Sequence, residues 1–195
     1  MTPPKKSKEA PGEAPVYQLK ITLKGLKPPI RRRILVPGAI TLNKLHRILQ
    51  VVMGWEDYHL HSFTIGKELY GVPEPGWEFG TREKDERKFT LQAVVPVIKM
   101  KFLYTYDFGD DWIHEILVEK ILPPDKDMKH PVCLDGKYAG PPEDCGGIWG
   151  YADMIDVMND PKHKEHESVM EWLGDDFDPE FFDIDAVNAG LRKIR

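Results

Sequence analysis

The sequence predicts an α+β domain in which an antiparallel or mixed sheet of about five strands packs on one helix, with a helical C-terminal third. Two patterns support the sheet and its helix. Apolar and polar side chains alternate over residues 17–26, and apolar side chains recur at helical spacing over residues 42–52. Helical spacing returns in residues 148–194. A length of 195 residues is enough for one domain with an apolar core.

The first 15 residues contain five prolines or glycines and five charged side chains, with almost no large apolar residue. Such a composition buries too little apolar surface to offset the entropy that ordering would cost. We therefore expect a disordered tail over residues 1–15 and a single domain over residues 16–195.

The alternating segment predicts a first strand, and residues 30–36 predict its partner after a turn that contains two prolines. Side chains alternate between the two faces of a strand. Arg31 and Arg33 are therefore expected on the face opposite Arg32, so the arginine run is not one continuous basic patch.

The first helix has clear signals at both ends. Thr41 is a good N-cap, and Gly54 follows the last apolar position and should end the helix. His46 lies beside the apolar stripe. We expect it to be a partly buried histidine bonded to a backbone group rather than a ligand.

The segment His59-Leu-His61-Ser-Phe63 predicts a further strand. Its period would place His59 and His61 on one face, about 7 Å apart at their α-carbons. Two imidazoles supply half of a zinc site. The following residues, 71–88, predict a long irregular loop over one end of the sheet, with Trp77 and Phe79 packed back on the domain.

Three carboxylates and an imidazole crowd the segment Tyr104-Thr-Tyr-Asp-Phe-Gly-Asp-Asp-Trp-Ile-His114. Such density requires solvent, turn hydrogen bonds, a cation or a basic partner. A two-residue turn at Gly109-Asp110 would set Asp107 opposite Trp112 and Thr105 opposite His114. Asp107, Trp112 and His114 would then share one face. The alternative is that Asp107 and Asp110 cap the turn through hydrogen bonds to its backbone.

A second segment, residues 133–147, is rich in glycine and proline, which indicates a loop of specified shape. Glu143 and Asp144 precede Gly146 and Gly147. This arrangement offers two carboxylates and accessible amides, which suit a cation, a phosphate-bearing ligand or another loop.

The two cysteines, Cys133 and Cys145, are twelve residues apart, and we expect both to be free thiols in a reducing compartment. The sequence shows neither a signal-peptide pattern nor a membrane-spanning segment, so we expect a cytoplasmic protein. A second hypothesis joins both cysteines to His59 and His61 in a tetrahedral metal site, although no Cys-x-x-Cys element is present.

The net charge of −5 conceals an uneven distribution. Residues 1–54 contain eleven Lys and Arg but only two of the 32 Asp and Glu. The split fits two surfaces that attract each other within the fold, or a local basic face for nucleic acid. The candidate nucleic-acid residues are Arg31, Arg33 and Arg47.

Several long motifs resemble the plasmid Ri open-reading-frame-three-like family, whose members are also described as passenger proteins of insertion elements. The resemblance covers about residues 16–194 and implies the fold and a mobile-element context, without implying a particular reaction. The motifs are Arg31-Arg-Arg-Ile34, Leu45-His46, Met53-Gly-Trp55, His59-Leu-His61, the run from Tyr104 to His114, and Gly140-Pro-Pro-Glu-Asp-Cys-Gly-Gly147.

These observations favour a noncatalytic binding or interaction module of a mobile-element or plasmid system, with a protein or small-ligand partner. The predicted binding residues are Asp107, Asp110, Asp111, Trp112, His114, Glu143 and Asp144. The alternatives are a metal-dependent enzyme that acts on phosphodiesters and a weak nucleic-acid-binding protein. The enzyme would hold a divalent metal as its cofactor among Asp107, Asp111, His114, Glu143 or Asp144.

Overall fold

The computed structural model describes residues 14–73, 83–174 and 176–194. The strands are β1 Val16–Leu23, β2 Arg31–Pro37, β3 His61–Ile65, β4 Glu68–Gly71, β5 Glu83–Asp85, β6 Lys101–Tyr106, β7 Trp112–Leu122 and β8 Val132–Lys137. The helices are α1 Leu42–Met53, α2 Leu91–Val94, α3 Gly147–Asn159, α4 His166–Leu173 and α5 Ile184–Leu191, and a 3-10 turn covers Glu86–Lys88.

The eight strands form one mixed sheet in the order β5-β4-β3-β6-β7-β1-β2-β8. The pair β4–β5 is parallel and the other pairs are antiparallel. The α+β class is confirmed, but the predicted number of about five strands is too low. The short strand β5 and the edge strand β8 lie where turn-forming residues predicted loops. The C-terminal third is only partly helical, because irregular stretches separate its three helices.

Helix α1 forms where the caps predicted it. The Thr41 side chain accepts a hydrogen bond from the Lys44 amide, and Gly54 takes a left-handed conformation and donates to the Gln50 carbonyl. A side-chain N-cap of this kind contributes about 1 kcal/mol. The apolar stripe of α1 packs with the apolar side chains of the central strands in one core.

The predicted tail and loop fall mostly outside the described residues, including Trp77 and Phe79. The described part of the tail is ordered, since Ala14 is buried and the Pro15 carbonyl accepts a hydrogen bond from Gly38. Of the predicted loop, residues 83–88 form β5 and the 3-10 turn. Among the described residues, no helix has the length and apolar character needed to cross a membrane.

The three arginines of β2 alternate between faces as predicted. Arg32 is buried, donates from Nε to the Val52 carbonyl of α1 across 2.6 Å, and stacks on the Phe182 ring at 3.9 Å. Arg31 and Arg33 lie on the other face of the sheet. The middle arginine therefore joins the sheet to its helices.

Candidate functional site

Three loops meet at one end of the sheet, and we call their junction the three-loop site. They are residues 54–60 between α1 and β3, residues 107–111 between β6 and β7, and residues 138–146 between β8 and α3. Trp55 Nε1 donates to the Pro141 carbonyl at 2.8 Å, and the Gly146 amide donates to Asp110 Oδ2 at 3.1 Å. The two loops that the sequence predicted as one site therefore lie in contact.

The predicted register of the hairpin is wrong by one residue. Tyr106 pairs with Trp112 and Tyr104 pairs with His114. The turn is five residues long rather than two, because Asp107 and Asp111 both take left-handed conformations, with φ of 54° and 56°. The alternative prediction holds for Asp107, whose Oδ1 accepts from the amides of Gly109 and Asp110.

This register places Trp112 and His114 in the core, so neither lies on a binding surface as predicted. Both are almost completely inaccessible, and His114 Nδ1 lies 3.1 Å from the Trp112 carbonyl oxygen. Burial lowers the pKa of His114 to about 4. A neutral, enclosed imidazole of this kind supports the packing of the site rather than contacting a ligand.

His59 lies between two carboxylates, and we call His59, Asp107 and Asp144 the outer cluster. His59 Nδ1 is 3.7 Å from Asp107 Oδ2, and His59 Nε2 is 3.1 Å from Asp144 Oδ1. The shorter contact is not aligned as a hydrogen bond. One donor atom from each residue lies within 4.8 Å of the others. Each of the three loops contributes one residue.

The outer cluster has a buried side and an open side. Asp107 is buried at the base of its loop, whereas the Asp144 side chain is 69% exposed. Asp110 and Asp111 do not belong to the cluster. Asp110 binds the Gly146 amide, and Asp111 is exposed at the end of the loop.

Tyr106 holds the loops of the outer cluster in place through its hydroxyl. It was not predicted from the sequence, because the predicted register placed Tyr106 on the face opposite Asp107. Its hydroxyl donates to Glu143 and accepts from the amides of Tyr58 and His59, at 3.0 and 3.3 Å. Burial and the Glu143 carboxylate raise the pKa of Tyr106 well above its usual value. Glu143 also accepts from the Glu56 amide, so it links the 138–146 loop to the 54–60 loop.

The structure does not assemble the predicted site of His59, His61, Cys133 and Cys145. Cys133 lies on β8, five strand positions from the β3 strand of His61, which corresponds to about 24 Å. His61 Nε2 instead lies 2.9 Å from Glu86 Oε2. His59 precedes β3, so the two histidines do not share a strand.

Both cysteines are free thiols, as predicted. Cys133 is the more buried of the two. Burial raises the pKa of both thiols, that of Cys145 to about 12. Neither belongs to a cluster of potential metal ligands among the described residues.

The three arginines proposed for nucleic acid are not one surface. Arg33 forms ion pairs with Glu119 at 2.7 Å and Asp135 at 3.1 Å, and Arg31 lies 4.0 Å from Asp135. Arg47 is exposed on α1, which packs on the opposite face of the sheet. The positive charge of this strand is therefore largely compensated within the fold.

A cavity of about 690 Å³ lies beside the three-loop site, between the β1–β2 turn and α3. Its walls are mainly apolar and aromatic, and a few charged side chains also line it. The wall residues include Leu26, Ile30, Tyr138, Ile148, Trp149 and Tyr151. Its volume suits a small organic ligand.

The fold and the site define an α+β protein with a mixed eight-stranded sheet and a histidine–carboxylate cluster where three loops meet at one end of that sheet. The chain belongs to the plasmid pRiA4b ORF-3-like protein family, whose model matches residues 15–186. The match confirms the resemblance seen in the motifs.

Two similar proteins extend this comparison. An uncharacterized protein of Sinorhizobium fredii, y4hQ, is 37% identical over 180 residues, which cover 91% of each chain. The crystal structure of MM3350, a protein of unknown function from Methanosarcina mazei Go1, is 42% identical, with a TM-score of 0.78. That match covers 87% of this chain and 96% of the other.

Proposed function

We propose that the protein is a noncatalytic binding module that holds a divalent transition-metal ion at the outer cluster. The observation that carries the proposal is that His59, Asp107 and Asp144 present donor atoms within 4.8 Å of one another from three different loops. Ligands of a tetrahedral ion with bonds of about 2.1 Å are separated by about 3.4 Å. A single His59 nitrogen would bind the ion, and Nε2, at 3.1 Å from Asp144 Oδ1, is close to that value.

The chemistry of the donors narrows the choice of ion. One imidazole and two carboxylates suit Zn²⁺, Mn²⁺ or Fe²⁺ better than Ca²⁺ or Mg²⁺, which prefer oxygen ligands alone. Two carboxylates also supply the negative charge that a divalent ion needs. The Tyr106 hydroxyl fixes the backbone of His59, so the imidazole is positioned by a second layer of contacts.

The surroundings of the cluster support a role in interaction. Three apolar side chains near the cluster are more than half exposed: Tyr58 and Leu60 of the 54–60 loop, and Phe108 of the 107–111 loop. Apolar side chains grouped on a surface are typical of a protein contact. We propose that the ion fixes the three loops and so presents these side chains to a protein partner. The neighbouring cavity supports a small ligand as the alternative partner.

Metal analysis of protein purified without an affinity tag tests the proposal. Asp144→Asn should remove one equivalent of Zn²⁺ or Mn²⁺ while leaving the fold intact, since Asp144 is exposed. Asp111→Asn is the matched control, because it removes an exposed carboxylate of the site that lies outside the cluster. Equal metal content in the two variants would refute the outer cluster as a metal site.

A metal-dependent enzyme is the second candidate, and the exposure of Asp144 favours it. Catalytic metal sites commonly have three protein ligands and one open position for water or substrate. The outer cluster offers three ligands and an open side. Turnover of a simple phosphodiester such as bis(4-nitrophenyl) phosphate, dependent on added Mn²⁺ and lost in Asp144→Asn, would establish this candidate. Absence of turnover with the metal bound would leave the binding module.

Weak nucleic-acid binding through Arg31, Arg33 and Arg47 has less support, because carboxylates accompany the first two and the third lies on another face. A mobile-element association is proposed from the family alone. A cytoplasmic location is proposed from the two free thiols.

A further inference from the structure

A pair of stacked histidines lies behind the three-loop site. The rings of His46 on α1 and His61 on β3 are parallel to within 1°, and their centroids are 3.4 Å apart. Both residues are buried. Two imidazolium ions at this separation would repel each other strongly in a poorly solvated environment.

Each imidazole lies within hydrogen-bonding distance of a different carboxylate. His46 Nε2 is 2.8 Å from Asp57 Oδ1, and His61 Nε2 is 2.9 Å from Glu86 Oε2. Glu86 is completely buried, and its other oxygen accepts from Asn43. The cluster thus combines two carboxylates with two imidazoles. Two ionised carboxylates would offset the charge of one divalent cation.

The rings are also held by a second layer of hydrogen bonds. His46 Nδ1 shares a hydrogen bond with the Tyr104 hydroxyl at 2.8 Å, and that hydroxyl accepts from Gln50 at 2.9 Å. Glu86 orients His61 in the same manner. Histidine ligands of metals usually have such partners on the nitrogen that does not bind the metal.

We propose that His46, Asp57 and His61 form a second divalent-cation site, which we call the inner cluster, with Glu86 as the carboxylate that orients His61. One donor atom from each of the three residues lies within 4.8 Å of the others. Asp57 is exposed and gives the ion a route from solvent. Two imidazoles and one carboxylate favour Zn²⁺ or Co²⁺. The lone pairs of two parallel rings lie in separate planes, so binding one ion would tilt the rings.

The inner cluster has no ligand in common with the outer cluster but shares its first loop. Asp57 and His59 are two residues apart, and the Asp57 amide donates to Gln50 Oε1 of α1 at 3.0 Å. An ion bound to Asp57 would therefore fix the backbone that carries His59. We expect the inner ion to tighten binding at the outer cluster, and by linkage the reverse.

Titration of metal-free protein with Co²⁺ tests this site, because tetrahedral Co²⁺ absorbs in the visible range and its spectrum reports nitrogen ligands. The full chain should bind two equivalents. Asp57→Asn should bind one equivalent of Co²⁺ fewer and should lack the absorption of the inner ion, which has two imidazole ligands. Asp144→Asn should lack the outer ion instead. The double variant should bind none. Glu56→Gln changes an exposed carboxylate one residue earlier in the same loop and should keep both ions.

The outcomes separate the two proposals. If Asp57→Asn keeps the stoichiometry and spectrum of the unchanged chain, the inner cluster is not a metal site, whatever Asp144→Asn does. If only Asp144→Asn has no effect, the outer cluster fails and the inner cluster stands. His61→Ala should match Asp57→Asn in stoichiometry, provided that its circular dichroism shows a folded protein.

Discussion

The Nε atom of Arg32 donates to the carbonyl oxygen of Val52 across 2.6 Å, so a strand arginine caps the C-terminal end of α1. The last carbonyls of a helix have no partner within the helix. The same guanidinium donates to the Lys137 carbonyl of β8 at 3.0 Å and lies on the Phe182 ring. One side chain therefore ties β2, β8, α1 and the segment before α5 together.

Arg32→Ala should destabilise the protein by about 3 kcal/mol, because it leaves buried carbonyls without donors and removes the packing against Phe182. Arg31→Ala, next to it on the exposed face, should change the free energy of unfolding by less than about 0.5 kcal/mol. Urea unfolding monitored by circular dichroism measures both. Similar values for the two variants would show that Arg32 does not cap the helix.

The alternation of β2 could be read from the sequence, but the partners of its arginines could not. Val52, Lys137 and Phe182 are distant from Arg32 in the chain, and the signals in a single sequence are local. The same limit applies to Asp57, whose contact with His46 depends on the path of the α1–β3 loop. Local signals did suffice for α1, where Thr41 and Gly54 mark both ends.

The hairpin shows a different limit. Gly109-Asp110 is a strong two-residue turn signal, yet Asp107 and Asp111 adopt the left-handed conformations that set the register. Asp tolerates this conformation better than most residues, but sequence does not reveal when it does so. Likewise β8 contains Asp135 and Gly136, which indicate a turn, and it forms because an edge strand tolerates them.

The buried histidine His114 should make stability depend on pH. Its pKa is about 4 in the folded protein and about 6.5 in the unfolded chain, so the unfolded state binds more protons between these values. Stability should therefore fall as pH decreases from 7 to 5, by about 2 kcal/mol from this residue. His46 also has a lowered pKa and should add a loss of the same sign.

Urea unfolding at pH 7 and pH 5 tests this dependence. His114→Gln removes the titrating group, and its stability should fall about 2 kcal/mol less than that of the unchanged chain between these two values. Carboxylates whose pKa is lowered, such as Glu119 with a value of about 2, titrate below this window in both states. An identical pH dependence in the two proteins would mean that His114 is protonated equally in both states.

Tyr106→Phe should weaken metal binding at the outer cluster by about tenfold, because the hydroxyl orients the His59 backbone and restrains Glu143. The ring remains in the core, so the fold should survive. Tyr58→Phe removes an exposed hydroxyl from the loop that carries His59. This hydroxyl donates only to Glu56 among the described residues, so its loss should leave the affinity unchanged. Isothermal titration with Zn²⁺ measures both. Equal affinities would assign Tyr106 to packing alone.

The contact between the two predicted loops depends on Gly147. Its φ is +67°, and an added Cβ would collide with the backbone carbonyl oxygen of Asp110. Because backbone cannot move aside cheaply, Gly147→Ala should push the 138–146 loop off the 107–111 loop and separate Asp144 from Asp107. We expect a loss of stability of about 3 kcal/mol and loss of the outer ion.

Gly66→Ala is the control, since Gly66 has a similar φ of +63° and nothing within 4 Å of its added Cβ. It reports the backbone cost alone, about 1–2 kcal/mol, and should keep both ions. The excess loss in Gly147→Ala then measures the loop contact. If Gly147→Ala retains the outer ion, Asp144 can reach Asp107 and His59 without this contact. The geometry of the cluster would then be set by the ion rather than by the fold.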